Sequence, residues 1–518
     1  MRRREFLNLA AAGGAGLMLD AVAGAQAASA GTRPNLVFFF PDEMRADSIA
    51  SYGNPVTKTP NINAFAAQGA LFKEAHVQNP VCAQSRCSML TGWPTSVRGH
   101  RSLFYLLRQN EPNMFRYLKQ AGYDVYWFGK NDALAPESFR DSVTAWRGPQ
   151  AVGAGVMTGT HTGPTTMLMP GGGDRRETSD YTMLKAAFDV LERREQNRPF
   201  CIFLPTIQPH PPYRAPDGFA GMYDKIDLPK LPKHGLARKP AFHEAIRKSY
   251  GLIDLPDSEF IKVRRTYYEQ VSYTDWLLGE LLEAIDRTGH TSDTAVLMSS
   301  DHGDYAGDYG LVEKWPAGLE SCLTHVPLIA RVPGGKSGVV SSEMVELFDV
   351  MPTMLQLAGT RATHTNFARS LLPQVHGQAG DPHRAAFSEG GYNVYEPQAF
   401  EPHLGGLYGP KTQLQNDQPN LIERVASIKT SLFNFIARPN GQSELYDRHN
   451  DPAETNNLFG NRAHASIVGE MEQRLMNWYI NTSGVPDEKR DARDMPTFDP
   501  VTPFNDAASR TTALLDGD

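Results

Sequence analysis

Cys82-Ala83-Gln84-Ser85-Arg86 places a thiol, a hydroxyl and a guanidinium within five residues, where a helix is expected to begin. Pro80 precedes the segment, and Ala83, Met89 and Leu90 supply helix-forming residues to the turns that follow. A nucleophile at a helix N-terminus sits in the positive end of the helix dipole, which favours a developing anion. Arg86, one turn on, can hold an oxyanion through its forked donors. Alone, the pattern is weak, because a Cys in such a helix is more often a small buried hydrophobe.

Other polar groups strengthen it. Pro41-Asp42-Glu43, Gly129-Lys130-Asn131-Asp132, Gln208-Pro209-His210-Pro211 and Ser300-Asp301-His302-Gly303 each follow an apolar run that reads as a strand. Any one of them is an ordinary turn or cap. In an open α/β sheet, however, ligands bind beyond the carboxyl ends of the strands, and here four such ends carry reactive side chains. Asp42, Glu43 and Asp301 are hard oxygen ligands, and three carboxylates together require a cation. Oxygen-rich ligation points to Ca²⁺, with Mg²⁺ second, and the nitrogen of His302 leaves room for Mn²⁺ or Zn²⁺. Lys130, Lys314, Arg86 and His210 bring the opposite charge, suited to gripping a tetrahedral anion. A divalent cation, a ring of cationic side chains and one nucleophile describe transfer of a sulfuryl or phosphoryl group.

The elements that must position these groups follow from periodicity and punctuation. Strands are expected at 35–40, 124–128, 200–204, 294–298 and 326–332. Helices are expected from Thr59-Pro60-Asn61 to Gly69, over 113–121, through Tyr181, Leu184, Phe188 and Leu191, over 259–287, and over 348–357. The alternation predicts an α/β fold, a large mostly parallel sheet flanked by helices. A Pro-rich insertion over 209–256 is long enough to face a substrate. From about Pro382 the pattern changes to short strands with one helix near 467–479, which predicts a smaller C-terminal α+β subdomain. The expected organisation is therefore a catalytic domain over 28–381, the subdomain over 382–485, and a tail over 486–518.

Residues 1–27 read as an export signal. Arg3-Arg4-Glu5-Phe6-Leu7 is a twin-arginine pattern, followed by an Ala/Gly-rich run and a small-residue site at Ala25-Gln26-Ala27. Asn8 and Asp20 bracket a run too short to span a membrane. Twin-arginine export machinery carries folded proteins, which predicts work in the periplasm or outside the cell. Any chemical modification of a thiol would then come before export. The net charge of −7 over 518 residues argues against a nucleic-acid partner and is silent about small anions. Cys82, Cys87, Cys201 and Cys322 make no metal spacing and no disulfide framework, and Cys201 reads as core. Arg98, His100 and Arg101 read equally as a substrate-facing basic turn or a solvated one. The aromatic and His residues over 390–410 are candidates for a pocket mouth.

Taken in order, these blocks resemble the type I sulfatases of the alkaline-phosphatase superfamily. The resemblance rests on Pro41-Asp42-Glu43, Thr59-Pro60-Asn61-Ile62, Cys82-x-x-Ser85-Arg86 with Leu90-Thr91-Gly92, Gly129-Lys130, and Pro209-His210-x-Pro212. It continues through Ser300-Asp301-His302-Gly303, Gly307, Lys314, Val326-Pro327-Leu328-Ile329, Pro333-Gly334, Asp349 and Pro352-Thr353. It closes with Glu444-Leu445-Tyr446-Asp447, Asp451-Pro452-x-Glu454 and Asn457-Leu458, so it covers nearly the whole chain after the signal.

The resemblance implies that a maturation enzyme oxidises Cys82 to formylglycine. One hydroxyl of its hydrate attacks sulfur, and the second expels sulfate by re-forming the aldehyde. It implies a metal, Ca²⁺ first and Mg²⁺ or Mn²⁺ after, held by Asp42, Glu43, residue 82, Asp301 and His302. It gives Arg86 the support of the nucleophile and metal, Lys130 and Lys314 the sulfate charge, and His210 the proton for the leaving oxygen. It implies a sulfated sugar or glycan as substrate. Three positions depart from the family pattern. Gln84 stands where Pro or Ala is usual, Glu43 replaces the more usual Asp, and Asp132 stands where His is common and is assigned the base of the release step. Two other readings remain open: a phosphodiesterase or phosphonate monoester hydrolase of the same superfamily, and a non-catalytic sulfoglycan-binding protein in which Cys82 stays a thiol.

Overall fold

The apolar run Asn35–Phe39 is a fully buried strand, as a strand covered on both faces must be. It pairs in parallel with Phe200–Leu204 on one side and Thr294–Ser299 on the other. Phe200–Leu204 continues in parallel to Asp124–Phe128, and that strand to Ala145–Arg147. On the opposite flank Leu328–Arg331 runs antiparallel to Thr294–Ser299, and Ala70–His76 antiparallel to Leu328–Arg331. His325–Val326 and Val339–Glu346 both pair with Ala70–His76, which completes a mixed sheet of nine strands among the described residues. A computed structural model describes residues 33–148, 163–193, 198–233, 236–393 and 406–485. The expected export signal over 1–27, the tail over 486–518 and residues 394–405 of the expected pocket mouth lie outside the described residues.

Alternation along the central strand sorts the helices into two layers. Val37 and Phe39 share a core with the apolar sides of Pro60–Ala67, Ser179–Arg193 and the 31-residue helix Asp257–Arg287. Leu36, Phe38 and Phe40 share the other core with Cys82–Thr91, Met114–Gln120 and Val350–Leu357. No helix among the described residues is long and apolar enough to cross a membrane.

Three strands are absent from the sequence expectation. Ala70–His76 carries Lys73 and Glu74 at its middle, Val339–Glu346 is interrupted by Ser341, Ser342 and Glu343, and Ala145–Arg147 is too short to show a period. The run expected as one strand over 326–332 is broken at Pro327, which has no N–H to give to a ladder.

A separate antiparallel sheet follows, in the order Ala386–Gly390, Val425–Lys429, Phe433–Ala437, Glu444–Asp447. Helix Ala465–Thr482 packs on it, with the Phe387 and Trp478 rings stacked at 4.9 Å. The sheet is tied to the segment that follows helix Cys82–Thr91. Glu389 accepts hydrogen bonds from the Ser96 amide (2.7 Å) and the Thr95 hydroxyl (2.9 Å), at the start of the short helix Thr95–Arg98.

Candidate active site

Cys82 is the first residue of helix Cys82–Thr91, every residue of which is buried. The preceding Val81 is extended and offers no side-chain cap, and Gly92 ends the helix at φ 70° with its amide on Ser88 O at 2.8 Å. An uncapped N-terminus leaves backbone N–H groups beside the nucleophile for an anion.

The central strand ends at Phe39, which delivers Asp42 and Glu43 just beyond the sheet edge. Glu43 takes φ 62°, an uncommon conformation for a residue with a side chain. It is held there from both sides. The Glu43 amide donates to Asp301 Oδ1 (3.1 Å), and the Tyr267 hydroxyl donates to Glu43 O (2.6 Å) while accepting from the Arg45 amide (2.9 Å). Thr294–Ser299 delivers Asp301 and His302, and Gly303 follows because a Cβ there would lie 2.0 Å from the Cys322 carbonyl oxygen. Asp124–Phe128 delivers Lys130 through Gly129, at φ 137°, where a Cβ would lie 2.0 Å from Pro205 O. An isolated parallel bridge between Asp42 and Pro209 sets the His210 loop alongside.

These ends converge on Cys82. Its Sγ lies 3.2 Å from His302 Nε2, 3.5 Å from Lys130 Nζ and 3.6 Å from Asp42 Oδ1. Arg86 ties the carboxylates together, donating from Nε to Asp301 Oδ2 (2.8 Å) and from Nη2 to Asp42 Oδ2 (2.9 Å). Its Nη1 is buried with no partner. Lys130 Nζ donates to Asp42 Oδ2 at 2.5 Å and lies 3.0 Å from Asp132. The donor atoms of Asp42, Cys82, Asp301 and His302 all lie within 4.8 Å of one another. Two carboxylates, a neutral imidazole and the side chain of residue 82 suit a divalent cation. A second group of the same tightness joins Asp42 and Cys82 to Glu43 and His210. The Glu43 carboxylate thus shares Asp42 and Cys82 with the first group and also faces His210. There it forms a close ion pair with Lys314, and His210 Nε2 lies 3.2 Å from Glu43 and 3.3 Å from Lys314 Nζ.

The sulfatase family profile matches residues 34–360, more than half of the chain. The chain belongs to the sulfatase family. It is 28% identical over 381 residues to arylsulfatase K of Danio rerio, covering 69% of this chain and 71% of that protein. Among solved structures it is similar to the phosphonate monoester hydrolase of Agrobacterium radiobacter, with a TM-score of 0.70, 20% identity, and 87% and 96% of the two chains covered. A protein solved in complex with its substrate D-glucosamine-2-N,6-O-disulfate superposes with a TM-score of 0.68 at 20% identity, covering 89% and 100%. This sulfatase is accordingly a sulfuric ester hydrolase.

Burial and charge tune the groups of the sulfatase site differently. Burial alone would push the Asp42 carboxyl up, but Lys130 and Arg86 hold it well below the usual carboxylate range. Burial pushes the Glu43 carboxyl up, Lys314 draws it back, and Asp304 and Glu313 add to the rise, which prevails. Burial lowers His302 to about 4, so its imidazole is neutral and free to ligate. Burial, then Lys314 and Lys130, lower His210 well below an ordinary histidine. Burial and Asp42 raise the Cys82 thiol well above its ordinary value, so an unmodified thiol here is protonated and a poor nucleophile.

Several site residues escaped sequence reasoning. Asp304, wholly buried, accepts from the Tyr213 hydroxyl at 2.7 Å and neighbours Glu43. Asp180 accepts the amides of Ile207 (2.8 Å) and Gln208 (2.9 Å) and so sets the loop that carries His210. Glu313 and Lys411 extend the ion pairs of Lys314. Asp180 follows an unremarkable polar run, whereas Asp304 directly follows Ser300-Asp301-His302-Gly303 and Glu313 stands next to Lys314, and both positions carry that signal. Conversely, His100 is buried against Tyr105 O (2.5 Å) and Glu111 (3.1 Å), and Arg98 lies over the Trp93 ring at 5.7 Å. Gln84 is buried and donates to Arg101 O at 3.0 Å. Cys201 and Cys87 are core, as expected for the former.

Proposed function

We propose that this sulfatase hydrolyses the sulfate ester of a sulfated sugar or glycan, with residue 82 converted from cysteine to formylglycine and Ca²⁺ as the metal. The observation that carries the reading is the setting of Cys82 at a helix N-terminus, with Asp42, His302 and Lys130 all within 3.6 Å of its Sγ. The hydrated aldehyde supplies the nucleophilic hydroxyl, and a bound cation supplies Lewis-acid polarisation of an ester oxygen. Asp42, Glu43, Asp301 and His302 would hold the cation beside residue 82, and Arg86 keeps Asp42 and Asp301 in register. Lys130 and Lys314 neutralise charge spread over the sulfate oxygens. His210, with Nδ1 held 2.6 Å from Pro211 O and Nε2 left to face the ester, is the proton donor to the leaving oxygen. Asp132, beside Lys130, accepts a proton in the release step.

A sulfated sugar is supported by the likeness to the protein solved with glucosamine disulfate. The twin-arginine pattern supports export in the folded state to the periplasm or beyond, after a maturation enzyme has acted on Cys82. The deciding experiment is a mass spectrum of the tryptic peptide holding Cys82, from protein made in its native host. An aldehyde mass, with sulfate release from sulfated sugars, is the expected result. An unmodified thiol with no turnover would leave the sulfoglycan-binding reading. The likeness to a phosphonate monoester hydrolase favours one rival, a phosphodiester or phosphonate hydrolase. Paired aryl sulfate and aryl phosphodiester assays separate them, and a large preference for phosphorus would overturn the proposal.

A further inference from the structure

Lys314 Nζ meets two carboxylates, Glu43 in a close ion pair and Glu313 at 2.9 Å. Were Glu313 balanced by Lys314 alone, that ammonium would be neutralised and would present no positive surplus to an incoming anion. Lys411 changes that. Its Nζ lies 3.0 Å from each oxygen of Glu313. All three side chains are removed from water, with Glu313 2%, Lys314 6% and Lys411 1% exposed. Their charges therefore act on one another, and on anything bound beside Lys314, with little screening. Burial pushes the Glu313 carboxyl up, but Lys314 and Lys411 together hold it below its ordinary value, so the carboxylate is charged.

The arrangement is built in. Glu313 takes φ 61°, and its backbone is fixed by its amide donating to the Tyr213 hydroxyl (2.9 Å) and its carbonyl accepting from the Tyr305 amide (2.9 Å). Lys411 arrives on helix Gly409–Asp417. Just before that helix, the Tyr408 hydroxyl donates to Pro211 O at 3.3 Å, and the Tyr408 ring lies 6.3 Å from the His210 ring. The helix that supplies the second ammonium is thus docked on the loop that supplies His210.

We propose that the Glu313–Lys411 pair sets the charge that Lys314 presents to the ester, and so tunes the preference of the site between a monoanionic ester and a dianionic phosphate monoester. The proposal rests on the reading of Lys314 as a sulfate contact. Glu313 touches Lys314 directly and Lys411 touches Glu313, so each carries a charge felt at Lys314. Removing the charge of Glu313 makes the surroundings of Lys314 more positive, which favours a dianion more than a monoanion. Removing the charge of Lys411 makes them more negative, with the opposite effect. A sulfate ester is monoanionic at neutral pH and a phosphate monoester largely dianionic, so the two substrates report the shift. Glu313 and Lys411 are positioning residues, acting through Lys314.

The test is the ratio of kcat/KM for 4-nitrophenyl sulfate to that for 4-nitrophenyl phosphate. Glu313→Gln lowers the ratio by about tenfold and Lys411→Met raises it by about tenfold, the effect of one nearby charge in a partly screened site. The double variant and Lys411→Arg both return it to near the wild-type value. A merely structural role would depress both substrates together, so a ratio that stays put, or moves the same way in both single variants, overturns the proposal. Where Lys411→Met does not fold, Glu313→Gln and the double variant still carry the sign. Inorganic sulfate, a dianion, provides a readout independent of residue 82. By calorimetry it binds about tenfold tighter to Glu313→Gln than to the wild type and about tenfold weaker to Lys411→Met. Equal affinities in all three overturn the charge assignment. Absence of turnover in the wild type, with the affinity series intact, overturns instead the sulfate-ester reading of the site.

Discussion

Asp42 divides the site into two flanks that are built differently. On one side stand Cys82, Arg86, Asp301 and His302, carried by a single helix turn and one strand end, with Arg86 bonded to both aspartates. On the other stand Glu43, His210, Lys314, Glu313 and Lys411, carried by a residue at positive φ, a Pro-rich loop, a second residue at positive φ and a helix from the C-terminal part of the chain. The first flank is cross-tied, with one guanidinium bonded to both aspartates, so it holds geometry. The second is a line of alternating charges assembled from distant segments, so it holds a balance that a single substitution can tip.

That contrast makes predictions of decreasing size. Cys82→Ala should lower kcat by at least about 10⁴-fold, with the circular dichroism spectrum unchanged, because it removes the nucleophile from a position that bears little packing. Residual turnover near wild type would remove Cys82 from the chemistry and dissolve the distinction between the flanks. Arg86→Met leaves Asp42 and Asp301 buried without their shared counter-charge, at a cost of about 3–5 kcal/mol in urea unfolding. A loss below about 1 kcal/mol would mean that the first flank is not what holds the strand ends together.

The second flank has a pH signature through Asp180, which burial raises to about 6 despite the Ile207 and Gln208 amides. Because its folded value lies above the ordinary aspartate value of 3.8, the native state binds the proton more tightly than the unfolded chain. Its contribution is therefore fully present at low pH and is lost as pH rises toward 6. The stability of the wild type relative to Asp180→Asn should fall by up to about 3 kcal/mol between pH 4 and 6. A flat difference would show that the loop bearing His210 is held by other contacts. Last, Met476→Ala, at a 62%-exposed position on the helix over the smaller sheet, should change stability by no more than about 0.5 kcal/mol and leave turnover intact.

Much of the first flank was legible in the sequence. The unbroken apolar runs at 35–39, 124–128 and 200–204 marked their own strands, and the polar groups directly after the strands became the site. Cys82 was expected at a helix start and is the first residue of its helix. Gly129 and Gly303 were legible as punctuation, although only the contacts with Pro205 and Cys322 explain them. The second flank was legible only as isolated residues. His210 and Lys314 stand out there one at a time, but the contacts of Glu43 with both, and the parts played by Asp180, Asp304, Glu313 and Lys411, do not.

The sequence by itself determined which strands and helices form around the site, which polar groups sit at strand ends, and that a thiol, an arginine, carboxylates and lysines share one chain in the order of a sulfatase. Those properties are local: burial period, turn residues and spacing along a few turns carry them. Only the tertiary structure decided which carboxylates meet Arg86 and which meet Lys314, and that Lys411 closes on Glu313. Ion pairs between segments far apart in the chain leave no periodic trace. Their energies depend on burial and distance, which exist only once the chain has folded.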